Sequence, residues 1–531
     1  DTMIQVEESS DEDKIRFDTG GTQRAVIDST GLDVTGTTET DVLTINGSAL
    51  KYKAFGTSSI MFGDDATGTI DAANYNTGLG VDVFAALTTG DNNTAVGYAA
   101  LTANTTGQRN VAVGFQAMDA STTGSDSVVV GYEAGGSITT GIENTFLGYY
   151  SGQGTTTANY NTGVGSSALQ KNTTGTRNVA VGRVALYNST TANDNTGIGY
   201  AAGETLTTGG SNTIIGSKSG QNLTEGNSNI AIGVEALDAD TKGDRNIAIG
   251  NQALSAQNFT SSTDSYNVAI GRLAGENITT SIQHTIIGGL AGDALTTGEK
   301  NTVVGFNALT ADTTGDRTVA IGHSALYSQN ITTGAVSYNT AVGFETGYGI
   351  TTGDQNTALG NDALLAVTTA GNNVAVGSGA GDAITEGADN TAIGTVSLTA
   401  DTLGSRSVAV GYATLNAQNF TTATNGQNVA VGYSAGTAVT TGIENTLIGG
   451  LAGDALTDAD YNVAIGKESL TTDTLGSRSV AIGFKALKTQ NFTTATNTFN
   501  TAVGFAAGEG ITTGEQNTLV GANAGNALTT A

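Results

Sequence analysis

The chain of 531 residues contains no cysteine and no proline. Without cysteine it can form neither a disulfide nor a thiolate metal site. An average chain carries roughly 5% proline. Proline lacks the N–H that a sheet ladder needs, so its absence suits pairing that continues from end to end. Basic side chains are also scarce, 20 against 48 acidic ones, for a formal charge of -28. That balance argues against nucleic acid and anionic membranes as partners, because both require a basic footprint. The acids are scattered and read as solubility for a long surface. No apolar run approaches the ~20 residues of a membrane span and no secretory h-region is present, so no membrane insertion is expected. The first residue is Asp1 and not Met. The chain is read as a fragment or processed product.

Glycine is abundant: 76 residues, about twice the usual ~7%. Twenty-seven of these glycines, from Gly63, Gly80 and Gly97 to Gly504 and Gly521, each end a short apolar run. The step between them is that from Gly80 to Gly97 throughout, except at four longer ones such as Gly250 to Gly271. A short fixed period sustained over most of a chain defines a repeat architecture, and repetition builds length and surface, not a single cleft.

With Asn93 as position 1, a unit reads NTAVGYAALTANTTGQR and ends at Arg109. Position 2 is Thr, Val or Ile throughout, position 4 is a large aliphatic except for Phe62, position 3 is mostly Ala, and position 5 is always Gly. Side chains alternate across a strand, so one face is branched and the other nearly bare. Both faces are apolar, which predicts burial on both sides. Position 1 is Asn in 21 units, and stacked amides can hydrogen-bond up a column. The Thr-Thr-Gly of Thr105, Thr106 and Gly107 carries turn chemistry and supplies a residue tolerant of positive φ.

Positions 9 and 12 trade one large side chain. Leu101 accompanies Asn104 and Leu309 accompanies Asp312, whereas Gly135 accompanies Ile138, Gly292 accompanies Leu295 and Gly508 accompanies Ile511. From Asn93 onward 23 of 25 units obey; the units starting at Asn144 and Asn356 do not. Cores conserve volume, so each unit is expected to be one coil whose single cavity is filled from either wall. Units ending in Arg109, Arg177, Arg245, Arg317, Arg406 and Arg478 mark a module of four coils, once five. At ~4.8 Å per coil, 27 coils make a rod of ~130 Å.

The fold class read here is all-β: a parallel β-solenoid, or β-roll, of about 17 residues per coil over residues 59–531, in 27 units. Residues 1–58 read as an all-β connector with alternating runs at Ile15, Ala25, Leu32 and Val42. The chain stops inside a unit at Ala531. An uncapped solenoid exposes an edge, so further protein is expected beyond it.

The strands NIAIG at Asn246, SVAIG at Ser479 and NVAVG at Asn110 resemble the head repeat of trimeric autotransporter adhesins. The segment DKIRFDTGGTQRAVIDSTGLDVTG, from Asp13 to Gly36, resembles the region preceding the repetitive shafts of bacteriophage tail fibres. These resemblances imply a homotrimer, a structural and adhesive role in host attachment, and an extracellular place. The first reading is a tail fibre on the virion surface; a bacterial cell-surface adhesin or filament subunit is the alternative. The expected partners are two further copies of the chain, a virion or cell-surface anchor through the N-terminal region, and a host receptor. An ice- or carbohydrate-binding solenoid, with the Thr-Thr columns as a hydroxyl array, is a further alternative.

No catalytic, cofactor or metal site is expected, and the chain is not read as an enzyme. His284 and His323 occupy different unit positions without a repeated partner, and His284 replaces the position 1 Asn. Glycine stretches such as GYGITTG at Gly347 lack a phosphate-loop lysine. The acids near unit ends, such as Asp126 and Glu143, are too irregular for a calcium ladder. The four 21-residue units carry Phe259, Ile331, Phe420 and Phe492 after Gln-Asn, and these are the candidate surface contacts. The competing reading is that each insertion bulges and folds its apolar residue back.

Overall fold

The computed structural model describes residues 58–62, 72–332 and 336–530 in full, and seven earlier strands between residues 2 and 55 by their backbone. Strands β1 (Thr2–Glu7), β2 (Lys14–Thr19), β3 (Thr22–Asp28) and β4 (Gly31–Val34) form an antiparallel meander, each pairing with the next. Leu43–Ile45 and Ser48–Leu50 form a small antiparallel pair. Tyr52–Phe55 lies antiparallel to Ser59–Phe62 and covers the first edge of the repeat ladder.

From Ser59–Phe62 to Thr518–Val520 the chain is one parallel ladder of 27 short strands, hence 26 turns of a β-solenoid, without a helix among the described residues. Each strand pairs with its equivalent one unit away: Thr94 with Val111, Ala95 with Ala112, Val96 with Val113. The 21-residue units keep this register, Ile247 opposite Val268, because the extra residues leave the ladder before the next strand. Three of them form a second two-residue strand pair, such as Gly243–Asp244 with Thr263–Asp264, and the fourth a bridge from Asp316 to Val336.

Within the single chain the strands are buried on one face only. In most of them position 3 is buried and positions 2 and 4 are half-buried or exposed. The bare alanine face points inward and the branched face outward. The interior explains why: each coil is so narrow that strand, turn and return wall meet over one residue. A Cβ on Gly197, at position 3, would lie 2.7 Å from Leu186 of the previous coil.

The exchange between positions 9 and 12 is direct. A Cβ on Gly135 would lie 2.8 Å from Ile138 Cδ1, so the two positions compete for one space. A third wall takes part. The unit at Asn144 has Gly152 and Thr155, but its position 3 is Phe146, whose ring lies 2.5 Å from where a Gly152 Cβ would stand. In the unit at Asn356 both Leu364 and Val367 are buried, with Val367 in the column of Ile350 and Ile384.

Two glycine columns have different causes. Position 5 has φ near +135°, and a Cβ on Gly97 would meet the Gly114 carbonyl oxygen at 2.2 Å. Gly107, in contrast, is not at positive φ; it is excluded from carrying a side chain by the Gly124 carbonyl at 2.2 Å. The left-handed positions fall elsewhere, on Ala99, Leu101 and Arg109 and their equivalents. Position 9 is thus held at positive φ even when it is leucine, and glycine there relieves that strain when position 3 or 12 supplies the volume.

Candidate functional surfaces

The position 1 column is an internal spine. Asn93 Nδ2 donates to the Gly107 carbonyl at 3.0 Å, and its Oδ1 accepts the Asn110 N–H at 3.0 Å. Amide-to-amide bonds are a further layer in some coils, as from Asn212 to Asn195 at 3.0 Å. Most of these amides, like Asn93, thus satisfy a backbone donor and a backbone acceptor that the narrow coil would otherwise bury unpaired. His284 fills the same slot. Its Nδ1 accepts the Asn301 N–H at 3.3 Å and its Nε2 lies 3.0 Å from the Ser281 hydroxyl. Burial pushes its pKa down to about 4, so the ring is neutral.

The 21-residue units place Phe259, Ile331, Phe420 and Phe492 inside, at 4–6% exposure. They are not surface contacts. Each insertion starts from a buried network that no single position of the repeat discloses. Asp240 accepts the N–H of Gly243 and of Phe259, both at 3.1 Å, and Gln257 Nε2 at 2.7 Å. Gln257 in turn accepts Asn267 Nδ2 at 2.8 Å. The same wiring repeats at Asp312–Gln329–Asn339, Asp401–Gln418–Asn428 and Asp473–Gln490–Asn500. Burial pushes the carboxyls of Asp240, Asp312 and Asp401 up. The Phe or Ile is drawn in because its own backbone N–H is tied to this carboxylate. Where Asn104 and Asn172 replace the aspartate, the next unit has the ordinary length, and the hydroxyls of Ser121 and Ser189 are buried without a partner. The sequence signal was present: Asp at position 12 followed by Gln at position 12 of the next unit.

Two columns face outward. Positions 2 and 4 form a branched stripe in which no unit carries a charge. Ile60, Val128, Val130, Leu147, Ile198, Ile287, Leu359, Ile393 and Ile448 on it are each 36% or more exposed. Position 6 carries a Phe or Tyr ring in 11 of the 27 units, and these line up in short runs of an aromatic column that the sequence pattern, read for strands, did not disclose. Tyr98, Phe115, Tyr132 and Tyr149 stack in succession with centroids 4.9–5.4 Å apart. His323 stacks on Phe344, Tyr412 on Tyr433, and Phe484 on Phe505.

The two threonine columns differ. Thr105 Oγ1 donates to the Thr122 carbonyl, and Thr122, Thr139 and Thr156 continue the series, while the neighbouring Thr106 and Thr123 are exposed. One column is therefore committed to the backbone. Exposed ion pairs such as Arg109–Asp126 and Arg177–Asp194 join adjacent coils. Among the described residues no group of three or more His, Asp or Glu side chains could hold a metal ion, and no helix is long and apolar enough to cross a membrane.

Comparison with family models, with curated proteins and with solved structures returns no match.

Proposed function

We propose that the chain is the shaft of a fibrous attachment appendage, a homotrimer of parallel copies packed along the branched stripe. The observation that carries this reading is the stripe itself. A solenoid that hides alanine inside and sets valine, isoleucine, leucine and threonine outside in coil after coil, without one charge, presents an uncharged branched face that no other strand of the described residues covers. If each side chain contributes on the order of 30 Å², the stripe exceeds the ~800 Å² per partner of a standard interface. Parallel copies match it coil for coil, since each carries the same ladder spacing. The negative charge keeps such rods from aggregating elsewhere on their surface.

A tail fibre on a virion, anchored through the N-terminal region and contacting a host receptor, is the first form of this proposal. A bacterial surface adhesin is the second, supported by the likeness of the NIAIG, SVAIG and NVAVG strands to adhesin heads. Mass photometry of the native protein tests the assembly. Particles at three times 53.0 kDa are expected; particles at 53.0 kDa alone would refute it. Gold-labelled antibody against the rod, viewed on phage particles and on bacterial cells, separates the two forms.

A further inference from the structure

We infer that the aromatic column carries binding slots for a pyranose bearing one acidic group, the best formed at Tyr433, Gly450 and Lys467. This deepens the attachment reading, on which it rests, by naming a ligand chemistry. The stacked rings show where ring faces point. Tyr412 and Tyr433 lie 5.5 Å apart and 12° from parallel, so their faces look along the rod axis. Within a stack each face is covered by the next ring. Tyr433 ends its stack, is 62% exposed, and is followed one coil on by Gly450. A Cβ at Gly450 would have nothing within 4 Å. The next residue in the column is Lys467, 63% exposed.

The ring and the lysine are thus two coils apart, ~9.6 Å at the ladder spacing, with an empty level between them. A flat six-membered ring at van der Waals distance from Tyr433, ~3.5–4.0 Å, leaves ~5–6 Å to the level of the lysine. A pyranose fits this on chemical grounds: its axial C–H groups make one face apolar, suited to an aromatic face, and its rim is polar. The lysine selects for a carboxylate, sulfate or phosphate on that rim. Its present partner is Glu468 at 3.5 Å, but Glu468 lies closer to Lys488, at 2.9 Å.

The order of ring, small residue and cation is not confined to one place. The column holds three Lys or Arg residues, and each stands two coils from a ring across a single small residue: Tyr149–Ser166–Arg183, Phe306–Gly289–Arg272 and Tyr433–Gly450–Lys467. In a chain this poor in basic residues the coincidence is informative. Phe306 leans over Gly289, 3.5 Å from a Cβ there, and Tyr150 packs on Tyr149 at 4.1 Å, so those slots are narrower. Shallow single slots repeated along a multivalent rod gain strength by avidity.

The test is saturation-transfer NMR on the assembled rod carrying Tyr149→Ala and Phe306→Ala, which leaves one slot. The probes are methyl β-glucuronide, methyl β-glucoside and uridine monophosphate. Saturation of the glucuronide ring C–H protons is expected, with several-fold less for the glucoside. Tyr433→Ala should reduce the signal at least tenfold, and Lys467→Met should remove the preference for the acidic sugar. Gly450→Leu fills the slot without touching ring or cation, and its open surroundings let the chain fold; it should abolish the signal. No transfer to the glucuronide, an unchanged signal in Gly450→Leu, or stronger transfer to uridine monophosphate would overturn the assignment. Mass photometry on the same samples reports assembly independently, so failure of the slot and failure of the trimer are distinguishable.

Discussion

A single histidine gives the clearest measure of how tightly each coil is specified. His284 stands where 21 units have asparagine and must stay neutral to accept the Asn301 N–H. Its folded pKa of about 4 lies below the ordinary 6.5. The stability it contributes is therefore complete above pH 6.5 and declines as pH falls toward 4, by about 3 kcal/mol in all. The buried aspartates act the other way: their carboxyls are raised, so acid favours the fold at those sites. His284→Asn should accordingly remove a local acid sensitivity; amide exchange in the coils around residue 284 should then change less between pH 7 and 4.5 than in the parent chain. Asp240→Asn is isosteric and uncharged, yet it turns an acceptor into a donor opposite Gln257 Nε2. A loss of about 1–3 kcal/mol, read as a lower denaturation midpoint, is expected despite the removal of a buried charge. At the same scale the sequence was ambiguous about Gly107. Its turn context allowed positive φ, but its constraint is the carbonyl of the next coil, and a contact one full turn of the solenoid away has no local signature.

At the scale of the coil, much was legible. The glycine spacing revealed the strand, the period and the register, and the trade between positions 9 and 12 revealed an interior. What the pattern could not decide was which face that interior uses, because both faces are apolar. Bulk usually marks the inside; here the coil is too narrow for it, and Ala95 and Ala112 take that place. The role of position 3 as a third wall was hidden for the same reason, since Phe146 makes sense only when Gly152 is seen beneath it. The insertions misled in another way. Their Phe or Ile looked outward in a polar loop, but the decisive partner, a buried Asp, lies in the preceding coil. A swap experiment tests the shared cavity. Gly135→Leu should overpack the coil, and Ile138→Asn should open a void costing about 2–5 kcal/mol. The double variant, which restores the Leu–Asn pairing of Leu101 and Asn104, should regain most of the stability in urea denaturation. Additive losses would mean that the two positions do not share one space.

Over the whole molecule, 26 turns at ladder spacing make a rod of ~125 Å, stabilised by nearest-neighbour contacts and capped at its first strand by Tyr52–Phe55. The branched stripe was legible as a pattern but not as a surface; only the inward alanines reveal that it faces outward among the described residues. The absence of cysteine allows this to be tested without background. Single cysteines at Val410, on the stripe, and at Ala409, beside it but inward, are subjected to mild oxidation of the assembled protein. Val410→Cys should form disulfide-linked multimers between equivalent positions of neighbouring copies, and Ala409→Cys should remain uncoupled. Failure of Val410→Cys to couple, or coupling of Ala409→Cys in its place, would contradict an assembly built on the outward branched face.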